Sequence, residues 1–237
     1  MHGIDSSREL LGRVALVTGG GGGVGRLAAE RLAIAGCSVV VVDLDAPLAR
    51  RTAGRIRSDG GRALAIPLSA TCLGDARQAV QRALEAFSRV DVLVNSLAAF
   101  PCGWLATLPR PLLPSALELN LRATLFFSEA VAEHMVDAGS GGAVVNLMPR
   151  ALFADGPLMA TAQRLIELTR SLAHRLSPHG VRVNAIAADH DEGRPYRRRL
   201  PGSGLEDVAE LVLLLASPAA ASVTGSLIVT DEGPLPA

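Results

Sequence analysis

A glycine-rich turn between an apolar segment and a helical pattern constrains this chain more than any other feature. Residues 14–18 read VALVT, typical of a buried strand, and Gly19, Gly23, Val24 and Gly25 lie within the seven positions that follow. Glycines at this spacing permit a tight turn, let a pyrophosphate approach the backbone and let a helix pack closely against the strand. The first turn of that helix would present N–H groups and a partial positive charge to the phosphates. The motif therefore predicts a dinucleotide-binding strand–turn–helix unit.

An acidic residue follows at the distance that this interpretation requires. The second apolar segment, residues 38–43, reads SVVVVD and ends in Asp43, 18 residues after Gly25. A carboxylate at the end of this strand accepts hydrogen bonds from the adenosine ribose and repels a 2′-phosphate. The sequence therefore favours NAD over NADP.

Short apolar segments alternate with helical patterns along the whole chain. The apolar segments lie at 14–18, 38–43, 63–68, 90–95, 143–147, 181–187 and 227–230. The helical patterns lie at 23–35, 47–58, 75–87, 114–137, 158–176 and 205–216. Strands that are apolar along their whole length are buried on both faces, as in parallel sheets covered by helices. We therefore expect an α/β fold: a Rossmann-type, doubly wound parallel sheet of about seven strands with helices on both faces, forming a single domain over residues 1–237.

Composition excludes several classes of partner. The chain has 23 basic residues, all arginine, and 23 acidic residues, so its formal net charge is zero. This balance argues against nucleic acid or an anionic membrane as the main partner. Three cysteines without a CxxC pair are typical of a reduced compartment. With no apolar signal segment and no apolar run long enough to cross a bilayer, we expect a cytoplasmic protein.

Seven segments together indicate a family. They lie at residues 11–19, 93–98, 119–123, 143–147, 168–173, 181–186 and 222–225. Through them the chain resembles the classical short-chain dehydrogenases/reductases over nearly its whole length. The resemblance implies a nicotinamide dinucleotide cofactor and a catalytic set of asparagine, serine, tyrosine and lysine. It also places Asn95, in the segment LVNSLA, beside the cofactor. The candidate cofactor-binding residues are Gly19, Gly23, Val24, Gly25, Asp43 and Asn95.

Three of the four catalytic residues that the resemblance implies are replaced. Asn120 matches the family's asparagine, but the serine position is Pro149, and the tyrosine and lysine positions align with Leu158 and Ala162. The chain has no lysine, and its one tyrosine, Tyr196, lies well beyond the catalytic helix. A positioned general acid contributes about 10²–10⁴-fold to rate, and an oriented donor to a developing oxyanion about 10²–10³-fold. We therefore expect negligible carbonyl reduction by this chain alone.

Departures from the family pattern increase from the phosphates toward the nicotinamide. The glycine turn and Asp43 match the family. Ser69 stands where the family has an adenine-contacting aspartate, and Leu97 and Ala98 stand where it has a small Ala-Gly pair. We expect NAD to be bound weakly or not at all, with NADP disfavoured.

Two charged segments near the former substrate side leave alternatives open. Residues 189–192, DHDE, could ligate a metal or supply a general base, but a solvated loop is the simpler interpretation. Residues 194–199, RPYRRR, could hold a phosphorylated group such as coenzyme A, but an exposed charged loop is again simpler. We predict no metal site.

Two long helical patterns, 114–137 and 158–176, carry the partner prediction. In the family, the equivalent helices form a four-helix interface between subunits. Here they keep a regular apolar pattern at Leu117, Leu121, Leu125, Phe126, Leu165, Leu168 and Leu172. We expect this chain to dock through them onto an active homologue or onto a second copy of itself.

Several functions are consistent with these sequence features. The first is a non-catalytic subunit of a hetero-oligomeric NAD-dependent dehydrogenase. The family offers a precedent in the paired subunits of the benzylsuccinate pathway, which act on a hydroxyacyl coenzyme A thioester. The second is a non-redox enzyme (a cyclase, dehydratase or epimerase) that uses Asn120, His190 or Asp191. The others are an NAD-responsive regulator and an NAD-dependent oxidoreductase in its own right.

Overall fold

Six helices and seven strands alternate in the computed structural model, which describes residues 10–69, 72–96, 113–149, 157–188 and 204–230. The strands are β1 Val14–Thr18, β2 Ser38–Asp43, β3 Arg62–Pro67, β4 Val92–Asn95, β5 Gly142–Pro149, β6 Val181–Ala188 and β7 Leu227–Val229. The helices are α1 Gly23–Ile34, α2 Ala46–Ser58, α3 Leu73–Phe87, α4 Leu113–Asp137, α5 Pro157–Leu176 and α6 Leu205–Ala216. The predicted alternation of strands and helices is confirmed.

The strands form one parallel sheet in the order β3-β2-β1-β4-β5-β6-β7. The predicted Rossmann-type, doubly wound fold is confirmed. From β1 the chain first forms one edge of the sheet through β2 and β3. It then crosses back and adds β4 on the other side of β1. Ligands of such sheets bind at the carboxyl ends of the strands beside this reversal. The ends of β1, β2 and β4 therefore define where a site is expected.

Apolar layers cover both faces of the sheet. On one face, α1, α2 and α6 pack on the strands through side chains such as Leu32, Ile56 and Val212. On the other face, α3, α4 and α5 pack through side chains such as Phe127 and Leu172. Within the described ranges, no helix is long and apolar enough to cross a membrane.

The fourth strand begins two residues later than the sequence pattern predicts, because Asp91 is a buried ion-pair centre. Its carboxylate accepts hydrogen bonds from Arg13 Nη1 at 2.8 Å, from Arg89 Nε at 2.8 Å and from the Val14 N–H at 2.9 Å. Burial alone would raise the pKa of Asp91. The bonds from Arg89, Arg13 and Val14 outweigh that effect and hold this pKa below its ordinary value of 3.8. Asp91 thus ties β1 to β4 at the amino ends of the strands, away from the candidate site.

Candidate functional site

The glycine turn after β1 has a geometry that only glycine satisfies. Gly19 and Gly23 have φ of 62° and 51°, in the left-handed region that other residues rarely adopt. At Gly25 a Cβ atom would lie 2.2 Å from the Gly19 carbonyl oxygen and 2.9 Å from Ser96 Oγ. The first turn of α1 therefore touches the end of β1 and the residue after β4, as the predicted motif requires.

The amino end of α1 lies at the carboxyl edge of the sheet. Its N-cap residue, Gly22, supplies no side-chain hydrogen bond, and its first turn contains no acidic residue. The backbone N–H groups at the start of a helix lack intrahelical partners and carry partial positive charge. Gly23, Val24 and Gly25 therefore form a cradle suited to a phosphate group.

Asp43 lies beside this turn and braces it. Its Oδ2 atom accepts a hydrogen bond from the Gly21 N–H at 2.9 Å, and its Oδ1 atom accepts one from the Asp45 N–H at 2.9 Å. The buried Thr52 hydroxyl donates to the Gly21 carbonyl at 3.4 Å, so Gly21 is held from both sides. Each carboxylate oxygen has a second lone pair, so Asp43 can still accept a ribose hydroxyl. The sequence predicted the ribose contact but not the bracing of the turn.

Asn95, a candidate cofactor-binding residue, is buried and 1% exposed. Its Nδ2 atom donates to Ser128 Oγ at 3.0 Å and to Asn146 Oδ1 at 2.9 Å. Asn146 Nδ2 in turn donates to Thr169 Oγ1 at 3.0 Å. Sequence reasoning missed this network, although asparagines in otherwise apolar strand ends were a signal for it. These contacts fix α4 and α5 to the middle of the sheet.

The position aligned with the family's lysine lies in an apolar cluster. Ala162, on α5, is fully buried with Met148, Leu165, Ala185 and Ala187. Around these residues pack the partly buried side chains of Leu121, Ile166 and Leu227. An isolated ammonium group would be strongly disfavoured in such surroundings.

The other aligned positions are only partly described. Pro149 closes β5 opposite Ala188, and its ring offers no donor to a substrate oxygen. Asn120 is half-buried on α4 and already has a polar contact. The Leu158 side chain, the pair at 97–98 and the charged segments 189–192 and 194–199 lie outside the described residues.

The apolar pattern of α4 and α5 divides between the core and the surface. Leu165 and Leu172 are 6% and 2% exposed, so they belong to this chain's own core rather than to an outer face. The half-buried members are Leu121, Leu125, Phe126 and Leu168. The Leu117 side chain lies outside the described residues. The surface available to a partner on these helices is therefore narrower than the sequence pattern predicted.

No cluster of three or more metal-ligating side chains occurs in the part of the chain that the structure describes. The Cys37 thiol is also unsuited to chemistry, since burial raises its pKa to about 12 and Asp91 adds to this effect. The features that remain are the amino end of α1, the Asp43 carboxylate and an apolar region on α5.

Comparison with known proteins places these features in a family. The model of the short chain dehydrogenase family matches residues 13–189. Short-chain reductase protein NovJ of Streptomyces niveus is 34% identical over 93% of this chain and 93% of its own length. L-rhamnose 1-dehydrogenase (NAD(P)(+)) of Azotobacter vinelandii is 30% identical over 94% of this chain and 97% of its own. The crystal structure of a short-chain type dehydrogenase/reductase from Mycobacterium marinum superposes with a TM-score of 0.80 at 25% identity, covering 98% of both chains.

Proposed function

This chain belongs to the short chain dehydrogenase family, and within it we propose a non-catalytic subunit that pairs with a catalytically complete homologue in an NAD-dependent dehydrogenase. Family membership alone does not determine activity, because function depends on the residues of the site.

The observation that carries the proposal is the burial of Ala162. The proton transfer that the resemblance implies needs a tyrosine whose pKa is lowered by a nearby ammonium group. Ala162 instead fills an apolar cluster with Met148 and Leu165, and Pro149 ends the strand where a serine would be expected. Without an acid or an oxyanion donor at these aligned positions, carbonyl reduction would lose contributions of about 10²–10⁴-fold and 10²–10³-fold.

The phosphate side of the site fits a dinucleotide. The N–H groups of Gly23, Val24 and Gly25 would hold the pyrophosphate, because the first turn of a helix leaves its N–H groups without intrahelical partners. Asp43 would accept the ribose hydroxyls and disfavour a 2′-phosphate. When bound, NAD exchanges a hydride with a substrate carbon. In this chain we propose that a weakly bound NAD would serve assembly rather than turnover.

The docking surface would be the exposed part of α4 and α5, with the half-buried Leu125 and with Leu168, which also packs partly against this chain's own core. Apolar side chains ringed by charge are common at the centre of protein interfaces. The flanking charges include Arg122, which is bonded to Glu118 at 2.6 Å, and the exposed Arg164. The substrate would be bound by the partner. The precedent of paired subunits suggests a hydroxyacyl coenzyme A thioester.

A second candidate, an NAD-dependent oxidoreductase in its own right, is favoured by the names of the relatives. It requires a proton donor other than the residues aligned with the family's set. Turnover of NAD(H) by the purified chain alone, with no homologue present, would support this candidate and count against the subunit proposal.

The first experiment is gentle purification of the tagged protein from its native host, with mass spectrometry of what accompanies it. We expect an equimolar homologue that carries the serine, tyrosine and lysine. Leu125→Arg should abolish the pairing, whereas Leu214→Arg, at an exposed leucine on the opposite face of the sheet, should preserve it. Recovery of the wild-type chain alone would refute the proposal.

A second experiment tests the apolar character of the lysine position. Ala162→Lys would bury an ammonium group in the apolar cluster and should lower the free energy of unfolding by about 2–4 kcal/mol. Ala160→Lys, at an exposed position on the same helix, is the matched control and should change it by less than about 0.5 kcal/mol. Equal stability of the two variants, measured by urea unfolding, would show that the position still accommodates a lysine.

A further inference from the structure

A buried network of hydrogen bonds runs from the end of β4 to both proposed docking helices. Asn95 Nδ2 donates to Ser128 Oγ on α4 at 3.0 Å and to Asn146 Oδ1 on β5 at 2.9 Å. Asn146 Nδ2 donates to Thr169 Oγ1 on α5 at 3.0 Å, and the Thr169 hydroxyl donates to the Leu165 carbonyl at 2.8 Å. The four polar residues are at most 1% exposed, so no bulk water competes for these bonds.

The β4 end of this hydrogen-bond network is in contact with the glycine turn. Ser96, next to Asn95, donates its N–H to the Thr18 carbonyl at 3.3 Å, and the Thr18 hydroxyl donates to the Val94 carbonyl at 3.4 Å. A Cβ atom placed on Gly25 would be only 2.9 Å from Ser96 Oγ. At Gly25 there is no room for a further atom between α1 and Ser96. A shift of the first turn of α1 must therefore be accommodated by Ser96 and its neighbour.

The far end of this hydrogen-bond network reaches α4 at Ser128, one turn from Leu125, and α5 at Thr169, next to Leu168. Ser128 and Thr169 are fully buried against the sheet, whereas their near neighbours Leu125 and Leu168 are half-exposed. A helix moves as a rigid element, so a change on its inner face is carried to its outer face.

The bonds of this network run in one direction, and rotation of both side-chain amides would reverse them. Asn95 Oδ1 is buried and has no partner among the described residues. If both amides rotate, Ser128 and Asn146 can donate to Asn95 Oδ1, and Thr169 can donate to Asn146 Oδ1. The reversed network has three bonds where the present one has four, and it would place Asn95 Nδ2 where Oδ1 now lies without a partner among the described residues, so the present arrangement is favoured. Such a two-state element is what coupling between distant sites requires.

We infer that Asn95 is a positioning residue that couples the glycine turn to α4 and α5, so that a dinucleotide at the turn changes the order of both helices. The inference rests on the proposed function for the role of those helices as a docking surface. Coupling of this kind is reciprocal, so partner binding would strengthen dinucleotide binding by the same factor.

The test is hydrogen–deuterium exchange of the full-length protein alone, with and without NAD⁺ at millimolar concentration. In the wild type, NAD⁺ should slow amide exchange about three-fold or more in the glycine turn and in residues 119–136 and 160–176. Asn95→Leu should keep the slowing in the turn and lose it in both helices. Asn184→Leu is the matched control and should keep both effects. Asn184 is equally buried, but its amide bonds are to Val223 and Ser226, outside this network.

Three outcomes would overturn the inference. They are NAD⁺ slowing the turn without the helices, NAD⁺ slowing neither, and Asn95→Leu behaving as the wild type does. If Asn95→Leu fails to fold, Thr169→Val provides the test. It removes the α5 end of the hydrogen-bond network at nearly constant volume, so it should abolish the slowing of amide exchange by NAD⁺ in residues 160–176. No partner is present in this experiment. Its failure is therefore distinct from failure of the subunit proposal, which copurification tests.

Discussion

Replacing Gly25 by alanine should be among the most damaging small substitutions in this chain. The new Cβ atom would lie 2.2 Å from the Gly19 carbonyl oxygen and 2.9 Å from the Gly19 carbonyl carbon. Ordinary van der Waals contact begins at 3.4 Å, so the turn and α1 would have to separate by 1.2 Å. Neither side can give way easily, because the obstacle is backbone at the end of the buried strand β1 and α1 packs against the sheet.

The cost follows from overpacking. Inserting a methyl group into a well-packed site costs about 1–3 kcal/mol, and a rigid backbone obstacle places this case at about 3 kcal/mol. For a domain of this size, each kcal/mol lowers Tm by about 2–4 °C. We therefore expect Gly25→Ala to lower Tm by about 6–12 °C in thermal unfolding followed by circular dichroism, in the absence of any dinucleotide.

Gly22 supplies the matched control three positions earlier. Its backbone is extended, with φ of −148° and ψ of 177°, and a Cβ atom there would meet nothing within 4 Å. Gly22→Ala should therefore leave Tm within about 2 °C of the wild type. If the two variants unfold at the same temperature, the close approach of α1 to β1 does not carry the cost assigned to it, and the reasoning is refuted.

The remaining predictions concern three polar side chains. Asp43→Ala removes the acceptor of two backbone N–H groups and should cost about 1–2 kcal/mol in urea unfolding; by calorimetry, any preference for NAD over NADP should shrink. Asp91→Asn should cost about 2 kcal/mol at pH 7. The pKa of Asp91 is lowered in the folded state, so its contribution is complete above 3.8 and is lost as the pH falls through the folded value. Urea titrations at falling pH should show the wild type and this variant converging, and a constant gap would contradict the argument. Arg182→Met removes donors to the carbonyls of Leu215, Ala216 and Ser217 at the end of α6. It should cost about 1.5–3 kcal/mol and speed amide exchange in α6; unchanged exchange would indicate that the helix end needs no such cap.

The sequence predicted the sheet well where strands are apolar throughout and end at a turn. β1 and β2 begin and end at the predicted residues. A glycine turn follows β1 directly, and four consecutive valines form most of β2, so the bounds of both strands are clear from the sequence. β4 begins late because Asp91 belongs to an ion-pair centre, which local patterning does not reveal. β5 runs two residues beyond its prediction, to Pro149, because its pairing with β6 continues there.

The site was predicted less completely than the fold, since the missing parts are long-range contacts. A helical pattern cannot separate leucines that pack on the chain's own sheet from leucines available to a partner, and this is why Leu165 and Leu172 were misplaced. Similarly, the bonds of Asn95 join residues 33 and 51 positions away. The glycine turn was predictable because all its determinants lie within a few residues.

The residues that match the family pattern and those that depart from it differ in their structural roles. Gly25 is required by the close approach of α1 to β1, and Asp43 braces the turn through the N–H groups of Gly21 and Asp45. A catalytic lysine or serine would have no such structural task, and Ala162 and Pro149 stand in those positions. The dinucleotide motif would therefore persist in this chain for structural reasons even if NAD no longer bound. Asp43→Asn removes the negative charge and keeps one acceptor oxygen, which can still accept from the Gly21 N–H, while the bond from the Asp45 N–H is lost. A weakened preference for NAD in this variant would assign Asp43 to the cofactor, and no measurable change in dinucleotide binding would assign it to the fold alone.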